Sequence, residues 1–125
     1  MTTPAPVLYG ISNCDTVKRA RAWLEDRGFE HQFHDFKKSG VPPAALDHWM
    51  ARVGWESLLN RQGTTWRKLD DAAKAAVIDA PSARSAMLAH VSIIKRPVVE
   101  WPNGDVTVGF TTELFKQRTG DVAAA

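Results

Sequence analysis

The stretch richest in chemistry is Leu8-Tyr9-Gly10-Ile11-Ser12-Asn13-Cys14-Asp15-Thr16-Val17-Lys18, which holds the only cysteine of the chain. It reads as the end of a strand, a tight polar turn eased by Gly10, and the first turn of a helix. Ser12, Asn13, Asp15 and Thr16 are residue types that accept hydrogen bonds from the unpaired N–H groups of a helix start. A thiol at such a junction feels the positive end of the helix dipole. Together with nearby cations, the dipole favours the thiolate, which is the nucleophilic form. Lys18 lies one turn further on, with Arg19 and Arg21 behind it. Asp15 acts in the opposite sense, because a neighbouring carboxylate opposes ionisation of the thiol. A lone cysteine is often just a small residue that packs well. The strand–turn–helix setting is what argues for a reactive thiol, and it does not name the reaction.

Other residue sets carry less. His31, His34 and Asp35 are metal-ligating types, but residues three apart on a strand point to opposite faces. The usual ligand spacings are also missing, so no metal is expected. Trp23 and Trp49 fall at core-facing helical positions. Trp66 beside Arg67 fits a packing role, and Arg61, Arg67 and Lys68 fit a solvated basic face. The chain has neither a phosphate-binding loop nor a dinucleotide fingerprint.

The elements that must position Cys14 follow from periodicity. Val7 to Ile11 is a short apolar run after Pro6 and reads as a buried strand. Val17, Ala20 and Leu24, with Trp23 beside them, give the next segment one apolar helical face, and Gly28 stops it. Phe29 to Phe36 reads as a second strand, parallel to the first, so the opening is a βαβ unit. Lys37 to Gly40 reads as a polar loop. Pro42 and Pro43 open a helix carrying Leu46, Trp49, Met50 and Val53, which Gly54 ends. Trp55 to Leu59 is a helical turn, and Asn60 to Thr65 a loop. Leu69 to Asp79 reads as helix; Ala80-Pro81 breaks the pattern, and Ser82 to His90 resumes it. Val98 to Trp101 and Asp105 to Phe110 are strand-like around an Asn-Gly turn signal at Asn103-Gly104. Thr111 is placed to cap a last helix with Leu114 and Phe115. The expected architecture is α/β: a thioredoxin-like fold, βαβ…ββα, with an inserted helical subdomain. One domain is expected over residues 1–125, its framework at about 7–36 and 92–118, the insertion at about 41–91, and a flexible tail at 119–125.

Composition agrees with that reading. Sixteen Lys and Arg against fourteen Asp and Glu leave a net charge of +2, which gives no reason to expect nucleic acid or a membrane as partner. One cysteine excludes an intramolecular disulfide and fits a reducing compartment. Met1 to Pro6 lacks the pattern of a signal peptide, and no apolar run reaches membrane-spanning length, so a cytoplasmic location is expected. A monomer is the simplest expectation, and the sequence carries no signal of oligomeric state.

Four fragments carry a family resemblance: Tyr9-Gly-Ile-Ser-Asn-Cys-Asp-Thr-Val-Lys18, Trp55-Glu-Ser-Leu-Leu-Asn60, Gly63-Thr-Thr-Trp-Arg67 and Ile94-Lys-Arg-Pro-Val98. Taken in order, they resemble the arsenate reductase-like family typified by ArsC and Spx, and within it the YffB branch, over about residues 7 to 118. The resemblance implies a thioredoxin fold with a helical insertion, Cys14 as nucleophile, and a cis peptide bond between Arg96 and Pro97. It also implies that Arg96 lies beside Cys14, lowering its pKa or holding an anion. It further implies glutathione as co-substrate, with Asn13, Lys18, Arg96 and Pro97 at the glutathione-binding site and no bound cofactor.

The sequence departs from the family pattern in two ways. Arsenate reductases of this family use three arginines around the oxyanion. One matches Arg96, the second position is Asn60 followed by Arg61, and the third falls near Gly109 or Phe110. That disfavours arsenate reduction. Spx-type regulators often carry a C-x-x-C pair, but Val17 stands at the second position here. The leading expectation is a glutathione-dependent thiol/disulfide reductase. The alternatives are a Spx-like regulator that binds a protein such as RNA polymerase, and an arsenate reductase.

Overall fold

The computed structural model describes residues 5–119. Residues 120–125 of the expected tail lie outside the described residues, and Thr119 belongs to the last helix. The described residues divide into two compact units, residues 5–35 with 96–119 and residues 36–95.

The first unit is a four-stranded sheet with two helices. Its elements are β1 (Val7–Gly10), α1 (Asp15–Asp26), β2 (Gln32–Asp35), β3 (Val98–Glu100), β4 (Val106–Val108) and α8 (Thr112–Thr119). The strand order is β2-β1-β3-β4, with β1 parallel to β2 and antiparallel to β3, and β4 antiparallel to β3. Leu8 pairs with Phe33 on one side and Val99 on the other, so these three side chains share a face. On that face Leu8 and Val99 join Val17, Ala20 and Leu24 of α1 and Phe115 of α8 in one buried cluster. The 3.6-residue spacing in α1 is therefore the core-facing stripe that the sequence predicts. Gly28 N–H donates to the Glu25 carbonyl and Phe29 N–H to the Leu24 carbonyl, a 5→2 and 6→1 pair that closes α1.

Three local features differ from or sharpen the sequence reading. The second strand spans Gln32–Asp35 rather than 29–36, because Phe29 is used to close α1. At the β3–β4 hairpin Trp101 N–H donates to the Asp105 carbonyl over 2.8 Å, giving a three-residue loop in which Gly104 takes φ 92°. Gly10 is a matter of close approach more than of turning. A Cβ built there would lie 2.7 Å from Val17 Cγ2, so only glycine lets the first turn of α1 settle this closely on β1.

The opposite sheet face carries a polar group. Tyr9 OH donates to Glu100 Oε1 over 2.9 Å, and the Tyr9 and His34 rings lie 5.1 Å apart. Burial first, then the hydrogen bond and charge of Glu100, together push the Tyr9 phenol up to about 12.

The second unit contains α2 (Phe36–Ser39), α3 (Pro43–Val53), α4 (Trp55–Leu58), α5 (Thr64–Lys68), α6 (Asp71–Ala75), α7 (Ala80–Ala89) and a 3-10 turn (Val91–Ile93). Residues 37–39, expected in a loop, instead form a helical turn with Phe36. The Phe36 ring is 1% exposed and lies 6.2 Å from Trp49, and Gly40 N–H closes onto the Phe36 carbonyl. α5 starts at Thr64, inside the expected loop, once Asn60 Oδ1 has taken the Gln62 N–H. The helix expected from Leu69 to Asp79 is only Asp71–Ala75, opened by Asp70 accepting from Ala73 N–H. Ala80-Pro81 begins a helix instead of breaking one. Asp79 and Ser82 form a reciprocal capping box, and Pro81 sits in the first turn, where its missing N–H costs little.

Two measurements check this packing. Gly10→Ala is expected to cost about 1–3 kcal/mol, the range for overpacking a close contact. Combined with Val17→Ala it should cost less than the sum of the two single changes, and strict additivity in denaturant melts would contradict the contact. Tyr9 is the only tyrosine, so its titration can be read alone by phenolate absorbance. Its raised pKa means that its contribution to stability is complete below about pH 10 and is lost as pH rises toward about 12. Tyr9→Phe should remove that dependence and cost about 1 kcal/mol or less, the worth of a part-exposed hydrogen bond.

Candidate functional site

Cys14 is the N-cap of α1, with extended backbone at φ −123° and ψ 124°. Its carbonyl accepts the Lys18 N–H over 2.9 Å, which commits the next residues to the helix. Its side chain is half-buried and packs against the cluster formed by β1, β3, α1 and α8. The Cys14 Sγ stands where a Ser or Asp hydroxyl or carboxylate would cap. It makes no cap hydrogen bond of full geometry, yet the helix N–H groups still favour its ionised form.

The thiol pKa lies below its ordinary value. Burial is the largest single influence and pushes it up. The Val17 N–H, the hydrogen bond and charge of the Arg96 guanidinium, and the Thr16 N–H together outweigh burial. The cations named by sequence position act otherwise. Lys18 and Arg19 are exposed on α1. Arg21 Nε donates to His31 Nε2 over 3.2 Å, and its guanidinium sits 4.2 Å from the Phe33 ring centre. Burial and the Arg21 charge lower the His31 pKa against the opposing pull of Glu25. The thiolate is therefore held by one arginine distant in sequence and by backbone dipoles, not by the basic run of its own helix.

Arg96 and Pro97 are placed by the sheet. Tyr9 pairs with Val98, so the start of β3 lies beside the end of β1, next to the turn that leads to Cys14. The Arg96–Pro97 peptide bond is cis. Pro97 is buried, and its carbonyl accepts the Gly109 N–H over 2.8 Å. The structure thus brings Cys14, Arg96 and Pro97 to one end of the sheet. Asn13 is exposed in the turn ahead of the N-cap, so it is not the cap itself. Lys18 is exposed one turn into the helix and does not figure among the groups that shift the thiol.

The positions at issue for an oxyanion site are also located. Phe110 packs edge-on against Phe115, with ring centres 4.7 Å apart. Arg61, in the second unit, sits 5.8 Å from the Trp55 ring centre and 5.9 Å from that of Trp66. The Thr16 and Val17 N–H groups belong to the helix-start dipole that the sequence predicts; the structure adds that these two reach the sulfur. The signal was available in the position of Cys14 immediately before the helix.

What this arrangement can do is favour ionisation of a thiol and expose it, half-covered, at a helix start beside a cation. No helix among the described residues is long and apolar enough to cross a membrane.

Comparison with known proteins agrees with this geometry. The chain matches the model of the ArsC family over residues 9–117. It is 37% identical over 109 residues to a Haemophilus influenzae protein described only as uncharacterized, covering 87% of this chain and 94% of that one. A solved structure described as YffB is similar at 46% identity and a TM-score of 0.85, covering 91% of this chain and 98% of that chain. An arsenate reductase-related protein from Brucella melitensis is similar at 45% identity and a TM-score of 0.73, covering 95% and 98%. With a thioredoxin-like sheet, a cysteine capping its first helix and an arginine before a cis-proline, the chain belongs to the ArsC family.

Proposed function

We propose that the protein is a glutathione-dependent thiol/disulfide reductase that works through Cys14. The observation that carries this reading is the lowered thiol pKa, produced by the Val17 and Thr16 N–H groups and Arg96 against the effect of burial. A thiolate attacks a disulfide sulfur, and the partner thiolate leaves. The first step is Cys14 thiolate attacking the glutathione sulfur of a substrate–glutathione mixed disulfide: a Cys14–glutathione disulfide forms, the old S–S bond breaks, and the substrate departs as thiolate. With one cysteine in the chain, the second step needs an outside thiol. Glutathione thiolate attacks the mixed disulfide, regenerates the Cys14 thiolate and leaves as glutathione disulfide. Over the two steps one outside glutathione thiolate is consumed and the substrate sulfur is released as thiolate. The disulfide bond passes from the substrate–glutathione pair to glutathione disulfide, so atoms and electrons balance.

Arg96 has a second task in this scheme, because glutathione carries two carboxylates that a guanidinium can hold. Pro97 keeps the backbone after Arg96 at the site, while Lys18 and Asn13 are exposed where they can meet the same ligand. The protein acts on this reading as a soluble monomer in a reducing, cytoplasmic setting.

The test is the pH dependence of Cys14 alkylation with and without glutathione. The midpoint should lie below the ordinary cysteine value of about 8.5, and oxidised glutathione should give a protein adduct at Cys14 by mass spectrometry. Arg96→Met should raise the midpoint and lower kcat/KM for a glutathionylated disulfide by about 10- to 150-fold, as expected for a lost charge-assisted hydrogen bond. Cys14→Ser should reduce turnover to background. A thiol of ordinary pKa that forms no glutathione adduct would sink the proposal.

A further inference from the structure

The second unit contains a pocket of about 300 Å³ lined by Glu56, Leu59, Asn60, Arg61, Gln62 and Lys95. Its two walls are tied together by backbone. Leu59 and Ile94 form an antiparallel bridge, Asn60 N–H donates to the Ile93 carbonyl over 2.8 Å, and Lys95 N–H donates to the Leu58 carbonyl over 2.7 Å. The loop that carries the polar wall is folded back on itself. Asn60 Oδ1 accepts the Gln62 N–H over 3.1 Å, and a Cβ at position 63 would lie 2.8 Å from Asn60 Nδ2, so Gly63 makes room for the carboxamide. The Arg61 guanidinium lies within cation–π range of both Trp55 and Trp66.

The chemistry of this lining is two-signed. Two cations and one carboxylate border the same concavity. Among the described residues Glu56 forms no ion pair with Arg61, with Lys95 or with any other group. The Gln62 carboxamide likewise makes no side-chain hydrogen bond among the described residues. A purely anionic ligand would meet Arg61 and Lys95 but also the repulsion of Glu56. A purely cationic ligand would meet the reverse. A ligand carrying both charges close together satisfies all three, and the two carboxamides supply further donors and acceptors. The volume is at the small end of ligand pockets.

We infer that this pocket binds an α-amino-carboxylate head group, its carboxylate on Arg61 and Lys95 and its ammonium on Glu56. The shared chemistry is that of a free amino acid and of the γ-glutamyl end of a peptide. The proposed cycle at Cys14 assigns no step to these six residues, so head-group binding measured in Cys14→Ser fails or holds separately from that cycle.

The experiment is an amide-shift titration of the full chain by nitrogen–proton NMR, following Asn60, Gln62, Gly63 and Lys95, and repeated in Cys14→Ser to separate it from thiol chemistry. L-Alanine and γ-glutamylglycine carry the head group, and whichever saturates at the lower concentration identifies the source. Propionate and ethylamine each carry half of it. Saturable shifts with a head-group ligand, at least about fivefold weaker with each half, are the expected result. Lys95→Met should weaken head-group binding by about 5- to 20-fold, and Glu56→Gln should do so while leaving propionate unchanged or tighter. The spectra report directly that both variants are folded. No shifts with either head-group ligand, or propionate binding as tightly as L-alanine, would overturn the inference.

Discussion

The contact between Gly10 and Val17 is the constraint on which the rest of the site depends. β1 ends at a residue with no side chain, and α1 places a β-branched residue against it. That closeness fixes the depth and direction of the first helical turn. The helix in turn fixes the N-cap, and the N-cap is Cys14. Val17 therefore has two functions in one residue. Its side chain is fully buried in the cluster, and its N–H faces the sulfur. A structural contact and an electrostatic one are made by opposite sides of the same position, so disturbing the packing also disturbs the chemistry.

The thiol pKa is set by opposing effects. Burial opposes the charge and is the largest single influence, while two N–H groups and one guanidinium favour it and prevail together. Deeper burial would leave the sulfur neutral and inert. Full exposure would weaken the dipole and the arginine through solvent screening. A half-covered sulfur has the groups that favour its ionised form and is still accessible. This also explains why the basic run Lys18, Arg19 and Arg21 matters less than its proximity in sequence suggests. A helix directs successive residues around its axis, and Arg21 is spent on His31 and Phe33 instead.

Much of the sheet unit was legible from local pattern. The β1–α1 junction, the apolar stripe of α1, the Asn-Gly hairpin and the Thr111 cap each rest on a few neighbouring residues, and Thr111 Oγ1 does accept the Leu114 N–H. The role of Arg96 was legible only through resemblance, because it depends on β3 pairing with β1 across most of the chain. Misreadings cluster in the helical unit. Lys37 to Ser39 are polar and read as loop, but one buried ring beside Trp49 turns them into a helical turn. Pro81 reads as a breaker because its effect depends on position. The Asp79–Ser82 box that makes position 81 part of a first turn is a side-chain event that periodicity does not register.

The order of the strands has a consequence for the time course of synthesis. The sheet unit is assembled from two separated lengths of chain, and its central pair joins β1, near the start, to β3, near the end. While the ribosome is still producing residues 36–95, β1 can pair only with β2. The strand that brings Arg96 to the thiol does not yet exist. Cys14 therefore leaves the ribosome well before its electrostatic partner. The entropic penalty for closing such a long loop grows only with the logarithm of its length, about 0.6 kcal/mol per doubling. The helical unit can thus lengthen or shorten between homologues at little cost to the pairing that completes the site.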